Sequence, residues 1–202
     1  MLFRSVVVAV PASLKVASVA ELIAQIREQP GKLNYTTATG MTDFIYEGYF
    51  KAAGLAITRV PYRDTVQALT DLGEARIQIY VGALAIVQPH VQSGRVKLIA
   101  VTNGAPAPML PNIPTVTQAG FPALTFDGLV GLFGPKDMAA TVRDRIAADI
   151  REVMNEQAVA ARLTATGQAI SPGTSAEFSA SLADQRAKLA AAVQQLGLKA
   201  AQ

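Results

Sequence analysis

At 202 residues and 21.2 kDa, with 50% hydrophobic and 16% charged residues, the chain has enough apolar material for a core and too little charge for disorder. The length allows one large domain or two small ones. Eighteen Lys and Arg against fifteen Asp and Glu leave +3, with no basic stripe interleaved with aromatics, which argues against nucleic acid as a partner. Zero Cys excludes disulfides, thiolate zinc sites, iron–sulfur clusters and thiol nucleophiles, and a lone His90 excludes multi-His metal centres. No cofactor or metal is expected. No apolar run approaches the ~20 residues of a membrane helix, so no membrane insertion is expected either.

The first element in chain order is a buried strand, the unbroken β-branched run Val6–Val10 before Pro11. Ser18-Val19-Ala20-Glu21 has the spacing of a capping box, and Val19, Leu22, Ile23 and Ile26 then share one helical face up to Pro30-Gly31. A short strand begins at Leu33-Asn34-Tyr35. A hydroxyl-rich loop, Thr36–Thr42, leads into a helix to Ala53, closed by Gly54. Ile57–Val60 is a strand, and Asp64 can cap a helix carrying Val66, Leu69 and Leu72. Ile77–Val81, a short helix with Leu84, Val87 and Val91, and the strand Val96–Val101 follow. This alternation predicts a parallel sheet with helices on its faces.

At Asn103 the character changes. Five prolines (106, 108, 111, 114 and 122) make residues 103–122 an extended connector. Strand character resumes at Leu124–Phe133, the only strand expected in this part. Helices are expected at about 139–156, 157–166 and 174–196, the last opened by a second capping box, Thr174-Ser175-Ala176-Glu177. The apolar faces of the long helices exceed what a single strand can cover. An exposed patch around Leu132, Phe133, Ile146, Ile150, Phe178 or Leu182 is therefore expected, and with it self-association or poor ligand binding.

No catalytic set emerges. Gly31-Lys32 is followed by Leu33, so no phosphate-binding loop is completed, and Gly128, Gly131 and Gly134 sit in a strand-like run rather than in a dinucleotide turn. There is no Gly-x-Ser-x-Gly elbow. His90 reads as a solvated or loosely capping helix residue. The segment with chemical content is Thr36–Thr42: a helix N-terminus presents unpaired N–H groups and partial positive charge, and can hold a carboxylate without Lys or Arg. From spacing alone, an ordinary capping loop using Thr39 or Thr42 is the simpler account of the same residues.

Several segments taken together resemble one family. They are Val19–Ile23, Pro30–Tyr35, Phe50–Gly54, Val60–Arg63, Pro89–Arg95, Ala100–Thr102, Leu110–Val116 and Gly131–Pro135. In order and spacing the chain resembles the solute receptors of tripartite tricarboxylate transporters, also called Bug-type extracytoplasmic binding proteins. The resemblance implies an α/β, two-lobed periplasmic-binding-protein-like fold, the second lobe complete and the first partial. Residues 6–122 would be the second lobe, and 124–202 the returning part of the first.

It further implies a periplasmic receptor, not an enzyme, that takes a small organic acid or related metabolite to the permease subunits of a membrane transporter. Thr36, Thr37, Thr39, Gly40, Met41 and Thr42 would form one wall of the cleft, with Asp43 beside them and Tyr80, Gly82 and Ala83 opposite or adjacent. Met41 and Asp43 stand where small or hydroxyl residues are usual in the family. Asp43 either caps its own helix or faces the cleft, where it would oppose a carboxylate. The family's secretion signal and the first strands of lobe one, with a Pro/Gly-rich loop of the other jaw, have no counterpart here, so Met1–Ser5 is expected to be an arbitrary start on an N-terminally truncated chain. The alternative is the cytosolic effector-binding domain of a LysR-type transcriptional regulator, a similar two-lobed fold that would need a DNA-binding helix-turn-helix upstream.

Overall fold

Val6–Pro11 is buried along its whole length, and its side chains divide between two cores. Val6, Val8 and Val10 join one cluster; Val7 and Ala9 join the other. Such a strand has helices on both faces and belongs near the centre of a sheet. The computed structural model describes residues 2–38, 40–170 and 173–197. In chain order its first elements are β1 (Leu2–Arg4), β2 (Val6–Pro11), α1 (Val19–Glu28), β3 (Asn34–Thr37), α2 (Gly40–Ala52), β4 (Thr58–Arg59) and α3 (Thr65–Gly73). Next are β5 (Ile79–Ala83), α4 (Leu84–Gln92), β6 (Val96–Val101), β7 (Gly128–Val130), α5 (Ala140–Asn155), α6 (Gln157–Ala165), β8 (Gln168–Ile170) and α7 (Ser175–Leu196).

One sheet has five strands in the order β4-β3-β5-β2-β6. β3 runs parallel to β4 and β5, but β2 runs antiparallel to both β5 and β6. This corrects the expectation of an all-parallel sheet. Period and burial do not encode strand direction. β2 enters the sheet straight from β1 through Ser5, with no crossover helix to turn it round. α1 and α2 cover one face with Leu22, Ile26, Tyr46 and Phe50, and α3 and α4 cover the other with Leu69, Leu72, Leu84 and Val87.

The starts of α1, α3 and α7 follow the polar signals in the sequence, whereas α4, α5 and α6 begin without a side-chain cap. Ser18 accepts from the Glu21 amide, Asp64 caps α3 through the Val66 amide, and Thr174 and Glu177 complete a reciprocal capping box on α7. The prolines of residues 103–122 hold the chain outside the strands, apart from a single bridge between Val101 and Thr115 and a 3₁₀ turn at Pro122–Leu124.

The second sheet has three strands, β7-β1-β8, with β1 antiparallel to both neighbours. The expectation of a single strand in the C-terminal part is corrected here, since β7 and β8 both lie there and pair on either side of the N-terminal β1. Strands of three residues are too short for alternation to be read from sequence. Two chain segments pass side by side between the sheets. At the junction Val6 N–H donates to Asn103 Oδ1 (3.0 Å), Asn103 Nδ2 donates to the Arg4 carbonyl (3.2 Å), and Gly104 N–H donates to Asp127 Oδ1 (3.0 Å).

α7 spans the two sheets. At ~1.5 Å per residue its 22 residues cover ~33 Å. Near its start, Phe178 packs on Gly131 and Phe133. Its middle reaches the Asp127 carbonyl through Gln185, and Lys51 of α2 donates to the Leu196 carbonyl near its end (3.0 Å). Leu132 and Phe133 are 76% and 75% exposed, and Val142, Ile146 and Val153 on α5 are exposed with them. Ile150, Phe178 and Leu182, expected in the same patch, are partly covered.

Candidate functional site

The connections leaving β3 and β5 go opposite ways. From β3 the chain passes through α2 to β4 at one edge; from β5 it passes through α4 to β6 at the other edge, beyond β2. α2 lies on one face of the sheet and α4 on the other. Where adjacent parallel strands send their helices apart in this way, a crevice opens at their carboxyl ends. The register pairs Thr36 with Tyr80 and Thr37 with Val81, and Ala38 N–H donates to the Val81 carbonyl (2.8 Å), so the two strand ends stand side by side.

The residues singled out from sequence fall around this point, in different environments. Thr36 is 3% exposed and points into the fold, as does buried Thr42. Thr37, Met41 and Asp43 are half-buried, and Gly40 is exposed at the first position of α2, where an added Cβ would meet nothing within 4 Å. Thr39 lies outside the described residues. Gly82 and Ala83 are buried at the end of β5, directly before α4.

Tyr80 is 1% exposed and packs with Leu69, Leu72 and Leu84. Its ring occupies the space a side chain at Gly82 would need: a Cβ there would come within 2.5 Å of the hydroxyl. That hydroxyl is buried with no hydrogen-bond partner among the described residues, and burial pushes its pKa up to about 12. β5 therefore contributes backbone and small side chains to the crevice rather than an exposed phenol.

Asp43 neither stands free nor simply caps its helix. It accepts from the Thr37 hydroxyl, and Arg59 grips it with two donors, Nε to Oδ1 (2.9 Å) and Nη2 to Oδ2. The Asp43 side chain is 14% exposed. Arg59, at the end of edge strand β4, is the polar residue that sequence reading missed. Its only signal was a charged side chain in the short run Ile57–Val60, which pattern alone does not distinguish from a solvated edge residue.

His90 sits near the C-terminal end of α4, away from the crevice, with Nδ1 buried near Gly73 and unpartnered among the described residues. A recess of about 470 Å³ lies instead between α2 and α7, lined by Ile45, Tyr49, Ala53, Ala123 and Ala192, with Lys188 its one charged lining residue. Its walls are apolar, and Lys188 is already paired with Asp184 (2.8 Å). At the strand ends, by contrast, the start of α2 brings exposed Gly40 beside half-buried Thr37, a more polar setting than the recess. Among the described residues there is no cluster of metal-binding side chains and no helix long and apolar enough to cross a membrane.

The model of the tripartite tricarboxylate transporter receptor family matches residues 1–198. A protein encoded in the tcbD–tcbE intergenic region of a Pseudomonas species is 29% identical over 154 residues, covering 73% of this chain and 45% of its own. BugT of Bordetella pertussis is 24% identical, covering 92% of this chain and 58% of its own. The solved structure of an R. palustris protein with adipate superposes with a TM-score of 0.80 at 22% identity, over 98% of this chain and 67% of that one, and shares its fold. The chain spans about half the length of the first curated relatives it matches.

Proposed function

Because the chain belongs to the tripartite tricarboxylate transporter receptor family, we propose that it captures a small carboxylate or related metabolite at the β3/β5 strand ends and passes it to the permease subunits of a membrane transporter. The observation that carries this reading is the divergence of α2 and α4 from adjacent strand ends. Such a divergence opens a crevice at the strand ends, where exposed Gly40 begins α2 beside Thr37. A carboxylate there would meet the positive end of a 13-residue helix without a dedicated cation. The adipate held by a protein of the same fold supports a dicarboxylate as the class to try first.

The same reading places the protein in the periplasm and assigns residues 6–122 to one lobe and 124–202 to the other. The two separate sheets support that division, and α7 is the element that crosses it. The family match leaves the regulator alternative without an observation in its favour.

Isothermal titration with mono-, di- and tricarboxylates tests the reading. At least one is expected to bind, and Gly40→Asp, which sets a negative charge at the start of α2, is expected to weaken that binding at least tenfold. Absence of binding across the series, or binding indifferent to G40D, would overturn it.

A further inference from the structure

An uncompensated carboxylate in the first turn of α2 would repel the anion that the helix terminus attracts. Asp43 occupies that turn. Three donors among the described residues meet it: the Thr37 hydroxyl and Arg59 Nε at Oδ1, and Arg59 Nη2 at Oδ2. The guanidinium fork matches both oxygens, the geometry in which an Arg–carboxylate pair is strongest and in which Lys is a poor substitute. The pair also ties three successive elements together, with Thr37 ending β3, Asp43 in α2 and Arg59 on β4. Glu47 stands one turn beyond Asp43. The Tyr35 hydroxyl, raised chiefly by burial, is raised further by Glu47 and Asp43 and lowered by Arg59, which gathers all three charges about the end of β3. Without Arg59 the Asp43 carboxylate would keep, of these donors, only the Thr37 hydroxyl.

We infer that Arg59 is a positioning residue that sets the charge preference of the crevice. It neutralises Asp43 and holds it against Thr37, so that the first turn of α2 receives an anionic group. The inference rests on the receptor reading above. It accounts for an acid at a position where an acid alone would select against carboxylates. Removing Arg59 turns the same corner into one that rejects dianions.

The test is titration of the whole chain with adipate, with a urea midpoint for each variant to confirm folding. Arg59→Gln is expected to weaken adipate binding about tenfold, the effect of one unscreened charge at ~5–8 Å, and the loss should shrink at 1 M salt. Arg59→Lys, which keeps the charge, should regain part of the loss. The double variant Asp43→Asn/Arg59→Gln should regain most of it, because acid and base leave together. Unchanged adipate affinity in R59Q would overturn the inference and leave the receptor reading standing. A double variant as weak as R59Q would also overturn it, by showing that the pair only braces the fold. An unaltered chain that ignores adipate, while binding another acid of the series, would be retested with that acid and the same variants; failure with every acid would overturn both readings.

Discussion

The five-stranded and three-stranded regions are built from the same kinds of element but to different degrees of closure. In the first, strands with continuous apolar runs lie between two helical layers, and Tyr35, Tyr46, Ile26, Leu69 and Leu72 are fully buried. In the second, the three strands are of three residues each, α6 packs on β8, α5 on α6 and α7 chiefly on α2, and buried apolar side chains among the described residues of 128–197 are few, Met154 and Ala192 among them. Leu132, Phe133, Val142, Ile146 and Val153 remain open to solvent. A local pattern can therefore be fully helical while its apolar stripe finds no partner, because amphipathicity shows which face needs covering and not whether anything covers it.

The sharpest way to break this comparison is to delete buried methylenes on one side and exposed ones on the other. Leu72→Ala or Ile26→Ala is expected to cost ~2–5 kcal/mol in urea unfolding, and Ile146→Ala on α5 less than ~0.5 kcal/mol. Equal losses would show that α5 is as well packed as α1 and α3. Gly128→Ala comes next. Its Cβ would lie 2.7 Å from the Arg4 carbonyl oxygen, a backbone atom that cannot swing aside. A loss of ~1–3 kcal/mol is expected, with hydrogen exchange accelerated in β1, β7 and β8 and unchanged in β3 and β5. Protection lost evenly in both sheets would mean that they unfold as one unit.

Phe133→Ser should leave the unfolding midpoint within ~0.5 kcal/mol of the unaltered protein while lowering the apparent mass in concentration-dependent light scattering. A monodisperse monomer before substitution would show that the open apolar face does not drive association. The smallest effect over the accessible range is in pH. Burial raises Tyr80 to about 12. Burial, aided by the hydrogen bond to Asp71 and its charge, raises Tyr62 to about 12. Both values lie above the ~10 of an unfolded tyrosine, so the fold favours the protonated phenols. Their contribution is intact below pH ~10 and is lost as pH rises towards 12. Between pH 8 and 10.5 a modest fall in the urea midpoint is expected, reduced in Tyr62→Phe. A midpoint that rises over that interval would contradict the burial of these rings.

The sequence made the starts of α1, α3 and α7 plain because they carry polar caps, Ser18, Asp64 and Thr174 each accepting the expected amide. It made the two-sided burial of Val6–Val10 plain because no polar residue interrupts the run. Strand direction was not legible, since β2 owes its antiparallel course to the chain entering from β1 at Ser5, a long-range fact. Nor were β1 and β8, each stabilised by pairing with residues more than a hundred positions away. At the candidate site the hydroxyl-rich loop could be found from composition and the helix that follows it. The inward turn of Thr36 and Thr42, the burial of Tyr80 over Gly82, and the grip of Arg59 on Asp43 depend on packing and on partners brought together only by the fold.

The central claim is that a small carboxylate binds at the ends of β3 and β5, where α2 and α4 diverge, and amide-resolved NMR during an adipate titration tests it most directly. Shifts concentrated at Thr37–Asp43 and Val81–Leu84, saturating together, are the predicted result. Shifts confined to the recess between α2 and α7, at Tyr49, Lys188 and Ala192, or saturation with no change at the strand ends, would contradict it.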